Sequence, residues 1–485
     1  MKNIIMLAAT AAMTVTAFAQ NEEIHVYRSD ATKMTTVKAA DIVSFTHEDG
    51  TAATGFNNVV IKTTDGATTE IAISAIDSVQ VSATGLPEVY VTLTDPQYAD
   101  LTDLITSLGK SYVYQANLRI DGNGMIADLP EQHVEFRGRG NSTWNMPKKP
   151  YRFKMDSKAS LGGMKKAKTF ALIANWIDNT LMRNTVALWV ANWLEMPYAN
   201  HCVPVKVYLN GNYKGAYMMT EKIGIGGGSV DIDENTGLLF ELDSNYDEDY
   251  CFYYTWNGNQ LPVMVKDPDL NEISTALGTT ATEYFNQWKA DFTTMADAVV
   301  NTPADGSLKD YIDLESAANF FIVNSLAANH EMQHPKSFYM YKEALGTEAK
   351  YHFGPVWDFD WAFTYDGGEN ASPTRPMVAQ NGDKSGYSFI KALFSNNEFR
   401  AIYKEKWDNF VTNGYPLLKN YMEEYAATIE PSAIENGVLW PANHDVSWRP
   451  TEGSVEFRKN YNKLKTWIQN RITYCNSHSN FGVYE

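Results

Sequence analysis

Hydrophobic and polar positions along the chain follow two different rhythms, and the change between them divides it. Over residues 20–85 the apolar residues come in short runs rich in Val, Ile and Thr. Ile24-His25-Val26-Tyr27 opens one run that closes at Asp41-Ile42-Val43-Ser44-Phe45. Val59-Val60-Ile61-Lys62 opens a second that closes at Ile76-Asp77-Ser78-Val79. Asp49-Gly50 and Asp65-Gly66 supply turn chemistry between them. The pattern predicts a small antiparallel β unit made of two similar hairpin copies, too few for a solenoid. Its simplest role is a spacer. Gly85-Leu86-Pro87 then marks a boundary, and residues 87–485 read as one large domain.

The first half of that domain alternates as strands do. Val89 to Leu93, Val113 to Ile120, Val134 to Arg137 and Tyr151 to Met155 each predict a strand, and the last places Arg152 and Lys154 on one face. Asp178 predicts a helix cap ahead of the stripe Met182, Val186, Trp189 and Trp193. Val203 to Leu209 and Gly215 to Thr220, joined by Asn210-Gly211-Asn212, predict a hairpin. The glycines at 224, 226, 227, 228 and 237 mark a loop inside the domain. Residues 271–330 read mainly as helices, Ser337 to Tyr341 and His352 to Phe359 as a second hairpin. Phe457, Tyr461, Leu464, Ile468 and Ile472 share one face of a last helix. The expected class is α+β, β-rich first and helical afterwards.

Composition narrows the partners. A formal net charge of −18 argues against nucleic acid, whose phosphates demand a basic face. The one basic cluster, Lys148-Lys149 through Lys168, is broken by aromatics and glycines and suits a local anion site. As sequence neighbours, Lys148 and Lys149 are expected in solvent. Cys202, Cys251 and Cys475 allow at most one disulfide and no zinc spacing. Lys2, the apolar stretch Ile4 to Ala12 and Ala17-Phe18-Ala19 predict a signal peptide over 1–19, cleaved before Gln20. No Cys stands there to take a lipid, and no other segment approaches membrane length. The expectation is a secreted, periplasmic or surface protein without an integral membrane segment.

Candidate chemistry begins at Trp357-Asp358-Phe359-Asp360-Trp361. On a strand end the two carboxylates would point the same way, and such a pair calls for a cation, best a hard one such as Mg²⁺ or Mn²⁺. Arg137-Gly138-Arg139-Gly140-Asn141-Ser142-Thr143 alternates arginine and glycine before small polar residues, the makings of a phosphate cradle. It is neither a Walker loop nor a kinase glycine loop. Lys154 follows on a strand, where a kinase holds nucleotide phosphates. Glu221 is a candidate partner for it, with a structural ion pair to Lys222 or an arginine as the alternative.

Together these motifs resemble the CotH family of spore-coat and bacterial surface proteins. The resemblance rests on Phe136 to Trp144, Pro147 to Lys154, Ala174 to Asp178 with Arg183-Asn184, Val207 to Gly211 with Thr220-Glu221-Lys222, and Gly354 to Asp360, in order over about 87–480. It implies a two-lobed, kinase-like fold using ATP with Mg²⁺ or Mn²⁺ to phosphorylate a secreted or surface protein. It casts Asp358 as the metal-binding, catalytic aspartate, Asp360 as its supporting acid and Lys154 as a phosphate contact; with Arg137, Arg139 and Ser142 of the cradle and Glu221, Lys154 completes the expected nucleotide site. Asn329 becomes a further metal ligand by the same likeness, more weakly. The chain departs from the family at Asn329-His330-Glu331, where Glu331 stands for the expected catalytic aspartate. Glu331 acting as base on a shifted backbone, His330 substituting for it, and a scaffold that binds nucleotide without efficient transfer are the three readings left open.

Overall fold

The computed structural model of the chain describes residues 22–28, 34–38, 42–51, 55–64, 66–72, 76–83, 85–365, 372–379, 385–441 and 456–485. The expected signal peptide lies outside them. In the N-terminal unit β1 (Glu22–Arg28), β2 (Met34–Lys38), β3 (Ile42–Thr51), β4 (Gly55–Thr63), β5 (Thr68–Ala72) and β6 (Ile76–Ala83) make two three-stranded antiparallel sheets, ordered β2-β1-β6 and β3-β4-β5. The two sequence copies correspond to β1–β3 and β4–β6. Each sheet therefore takes two strands from one copy and its third from the other. Asp49-Gly50 is not a turn, because Gly50 lies inside β3 opposite Phe56.

Beyond residue 87 the chain builds β7 (Glu88–Leu93), β8 (Tyr114–Asp121), β9 (Leu129–Gly138), β10 (Tyr151–Ala159) and β11 (Ala167–Ile173). Helix α1 (Arg183–Trp193) intervenes before β12 (Val203–Leu209) and β13 (Asn212–Glu221). These seven strands close into a barrel, ordered β10-β11-β13-β12-β7-β8-β9. Alternating residues such as Val91, Leu118, Phe136, Phe153, Leu172, Val207 and Met219 fill its interior. The β12–β13 turn is as expected: Asn210 and Gly211 both have positive φ, at 47° and 77°, which a two-residue hairpin loop demands.

Helix α1 starts later than expected. Leu181 at φ 55° interrupts any helical path from Asp178. The Asp178 carboxylate nonetheless serves the helix from a distance, accepting from the Thr180 N–H, the Thr180 hydroxyl and the Arg183 N–H.

The second half begins with β14 (Leu238–Leu242), β15 (Cys251–Trp256) and β16 (Asn259–Asp267), followed by α2 (Leu270–Leu277), α3 (Ala281–Asn301) and α4 (Leu314–Leu326). Strands β17 (Phe338–Lys342) and β18 (His352–Phe353) complete a sheet ordered β15-β16-β14-β17-β18. Helices α5 (Ser385–Phe394), α6 (Asn397–Asn409), α7 (Tyr415–Leu439) and α8 (Phe457–Ser477) follow. Trp288, Phe292, Phe321, Phe353, Trp407 and Leu464 anchor the core of this half, which is separate from that of the barrel. The architecture is mixed α+β, with an all-β region ahead of it. The three cysteines are free thiols. Among the described residues no helix is long and apolar enough to cross a membrane.

Candidate active site

The carboxylate pair sits on a loop, not on a strand. Strand β18 ends at Phe353, and Asp358 adopts φ 63°, a backbone region that costs a non-glycine residue about 1 kcal/mol. The first turn of α1 holds the loop in this shape. The Asn184 amide accepts from the Phe359 N–H at 2.8 Å and donates to the Asp360 carboxylate. The buried Arg183 donates to the Asp360 carbonyl at 2.8 Å. The Asp360 N–H in turn supports the Asp358 carboxylate. The Arg183-Asn184 pair thus fixes the acidic loop rather than touching a ligand by charge.

Both acids open onto a cavity of about 340 Å³ between the barrel, α1 and the second sheet. Glu241, Asp243 and Glu331 share its wall; Arg139, Lys266 and Lys336 provide positive charge; Ile173, Ile177, Leu188 and Met218 form an apolar side. The acids are not equivalent. Glu241 is neutralised by Lys266 at 2.7 Å and by the Tyr339 hydroxyl at 2.7 Å. Asp243 accepts the Asn245 N–H at 2.7 Å. Glu331, Asp358 and Asp360 form no ion pair among the described residues. Burial, then repulsion from Asp358, pushes the carboxyls of Glu331 and Asp360 up to about 8. Burial raises Asp358 as well, opposed by Arg139.

Such a group of uncompensated carboxylates fits a hard cation, since oxygen donors of this kind suit Mg²⁺ or Mn²⁺. Among the described residues no three His, Cys, Asp or Glu side chains form a ready-made metal cage. A cation held by two carboxylates and completed by ligand phosphate and water is the arrangement that matches.

The family model described as CotH kinase protein matches residues 136–475. The chain belongs to the CotH family. No curated protein matches the chain with significant similarity.

In this CotH domain the arginine–glycine run forms one wall of the cavity, with Arg139 and Ser142 both lining it. The Arg139 guanidinium lies 5.3 Å over the Trp357 ring. The glycines have a packing reason: a Cβ on Gly138 would come within 2.1 Å of the Trp144 ring, and Gly140 turns at φ 81°. Arg137 faces an adjoining chamber instead of the acid cavity.

The remaining candidates take other places in the fold than expected. Lys154 lies outside the cavity and makes an exposed pair with Glu135 at 3.6 Å. Its strand face is the expected one, but the cavity opens at the other end of β10, where Arg152 stands. Glu221 binds no part of the cavity; its carboxylate accepts the His201 N–H at 2.8 Å and pairs with the His201 ring at 2.7 Å. Asn329 acts as a cap: its Oδ1 accepts from the Glu331 N–H and its Nδ2 donates to Asn324, so it seats Glu331. Lys148 and Lys149 are buried, not solvated, with Lys148 donating to the Ala174 and Ala216 carbonyls. His330 stacks flat on Trp361, and burial together with Arg375 pushes it down to about 3.

The sequence reading missed Lys266 and Lys336, the cavity's own lysines. They stand in different strand contexts from any motif. Strands β16 and β17 flank β14 in the sheet, and only the fold brings Lys266 and Lys336 to one cavity.

Proposed function

We propose that this CotH chain transfers a phosphoryl group from a nucleoside triphosphate, ATP in the simplest form, to a hydroxyl of a protein acceptor. The observation that carries the reading is the trio of carboxylates without an ion pair, the buried Glu331 and Asp360 and the more open Asp358, facing the same cavity as Arg139. Asp358 and Asp360 would hold Mg²⁺ or Mn²⁺, which when bound neutralises charge on the phosphates. Arg139 and the loop through Ser142 draw the phosphate oxygens to the barrel side. The apolar side formed by Ile173, Ile177, Leu188 and Met218 offers the base a dry surface. Glu331, with a carboxyl poised near neutrality, orients the acceptor hydroxyl and receives its proton. Positioning and fixed charge supply most of the rate, as befits phosphoryl transfer. An N-terminal export signal would make the acceptor a secreted or surface protein.

Melting with ATP and Mn²⁺ tests the reading. Ligand at 100 times its dissociation constant stabilises by about 2.7 kcal/mol. The wild type should show the rise and Asp358→Ala should not. A wild type that no nucleotide–metal pair stabilises refutes the site. Stabilisation without transfer of label from γ-labelled ATP would assign the domain to nucleotide-binding scaffolds.

A further inference from the structure

Beside the acid cavity lies a second chamber of about 250 Å³ that shares Arg139, Gly140, Lys266, Tyr339 and Trp357 with it as a common wall. Its character is opposite. Arg137, Arg152 and Lys222 line it together with Arg139 and Lys266, and no carboxylate does. In a protein of net charge −18 this is a concentration of positive charge; Lys266 is answered by Glu241 and Glu248, each at 2.7 Å, which leaves Arg137, Arg152 and Lys222 as the cations to be matched.

Strand register explains how it arises. Arg137 on β9 and Arg152 on β10 are direct cross-strand partners. Ala171 on β11 lies opposite Arg152, and its small side chain leaves the space open. Lys222 follows the last residue of β13. Like charges directly opposite on neighbouring strands destabilise a sheet. Neither Arg137, Arg152 nor Lys222 forms an ion pair among the described residues, and the Arg137 Nε is buried with no hydrogen-bond partner. Burial and the neighbouring arginine lower Arg152 to about 10 and also lower Lys222. The cluster gains from any anion that enters.

We propose that this chamber binds a phosphate monoester already carried by the acceptor, so that the domain prefers acceptor segments bearing a phosphoserine or its equivalent. The proposal rests on the phosphoryl-transfer reading for the identity of the acceptor, not for the existence of the anion site. The donor is provided for elsewhere: the first cavity holds the acids for its cation, an apolar side and Arg139. A phosphate in the second chamber has no carboxylate lining beside it to share a cation with, and needs none. The common wall places it next to the acids where a neighbouring hydroxyl would react.

Calorimetric titration in EDTA, without nucleotide, reads the chamber alone. The probes are a serine-rich peptide carrying one phosphoserine and its unphosphorylated twin. The phosphopeptide should bind at least about tenfold more tightly than the twin, the worth of one charge-assisted contact. Arg152→Gln and Lys222→Gln should each remove about that factor, whereas Lys154→Ala, outside the chamber, should leave binding unchanged. Should Arg152→Gln fold poorly, Lys222→Gln carries the test, since it lies beyond the strand. Equal affinity for the two peptides overturns the proposal. So does stoichiometric displacement of the phosphopeptide by ATP in EDTA, which would assign the chamber to the donor's phosphates. A failure of ATP and Mn²⁺ to stabilise the protein would leave this titration standing, so the two ideas fail separately.

Discussion

Replacing Asp360 by asparagine should make the metal-free protein more stable at alkaline pH while removing its response to nucleotide and metal. Asp360 is 6% exposed, and its carboxyl rises from 3.8 to about 8 through burial and the charge of Asp358. Between those values the folded protein keeps a proton that the unfolded chain has released. Stability from this group is therefore complete below about pH 4 and lost as pH rises toward 8. A shift of about four units sets a ceiling on the order of 5 kcal/mol. Asp358 and Glu331 share the same repulsion, so removing one charge recovers only part, about 2 kcal/mol. Asp360→Asn keeps an oxygen for the Asn184 amide and leaves the Arg183 contact to the backbone intact. Urea unfolding in EDTA should then show the variant ahead of wild type by about 2 kcal/mol at pH 8.5 and nearly level at pH 4.5. With ATP and Mn²⁺ at saturation the order should reverse. A variant that is less stable at both pH values, or that still responds to ATP and Mn²⁺, refutes the reasoning.

Three further outcomes are expected. Lys148→Met should cost about 3 kcal/mol in urea unfolding, because it orphans two buried carbonyls, Ala174 and Ala216; a loss below about 1 kcal/mol would mean that they find other donors. Glu331→Gln should abolish label transfer while preserving melting stabilisation by ATP and Mn²⁺, and Glu331→Asp should retain part of the transfer; equal rates would remove Glu331 from the chemistry. Lys154→Ala should leave both melting and ATP affinity within about 0.5 kcal/mol, as an exposed pair with Glu135 permits; a tenfold loss of affinity would return Lys154 to the site.

Much of this architecture was legible in the order of residues, and the failures share a cause. Alternation located β7, β10 and the β12–β13 hairpin because a barrel wall has one dry face and one wet one. It also put Arg152 and Lys154 on the correct side. Alternation says nothing of depth along a strand, however, and the two-residue step from Arg152 to Lys154 carries the side chain away from the chamber. Asp358 and Asp360 come together for a different reason from the one expected. A strand would have aligned them by its two-residue period, whereas the fold aligns them through a left-handed residue and the grip of Asn184. Asn329 and Glu221 carry oxygens that look available in sequence but are occupied by Glu331 and His201 in space. The solvated reading of Lys148 failed because its partners are main-chain carbonyls, which leave no mark on the sequence.

The closure of the barrel bears on how the molecule can be taken apart. The stretch that matches the family begins at residue 136, most of the way along β9. A protein trimmed to those limits would discard β7, β8 and most of β9, leaving β10 and β12 as raw edges with unanswered main-chain groups. Arg137 and Arg139 would then hang from a frayed remnant. The smallest piece able to present them in their native frame starts near Glu88, some fifty residues before the recognisable motif.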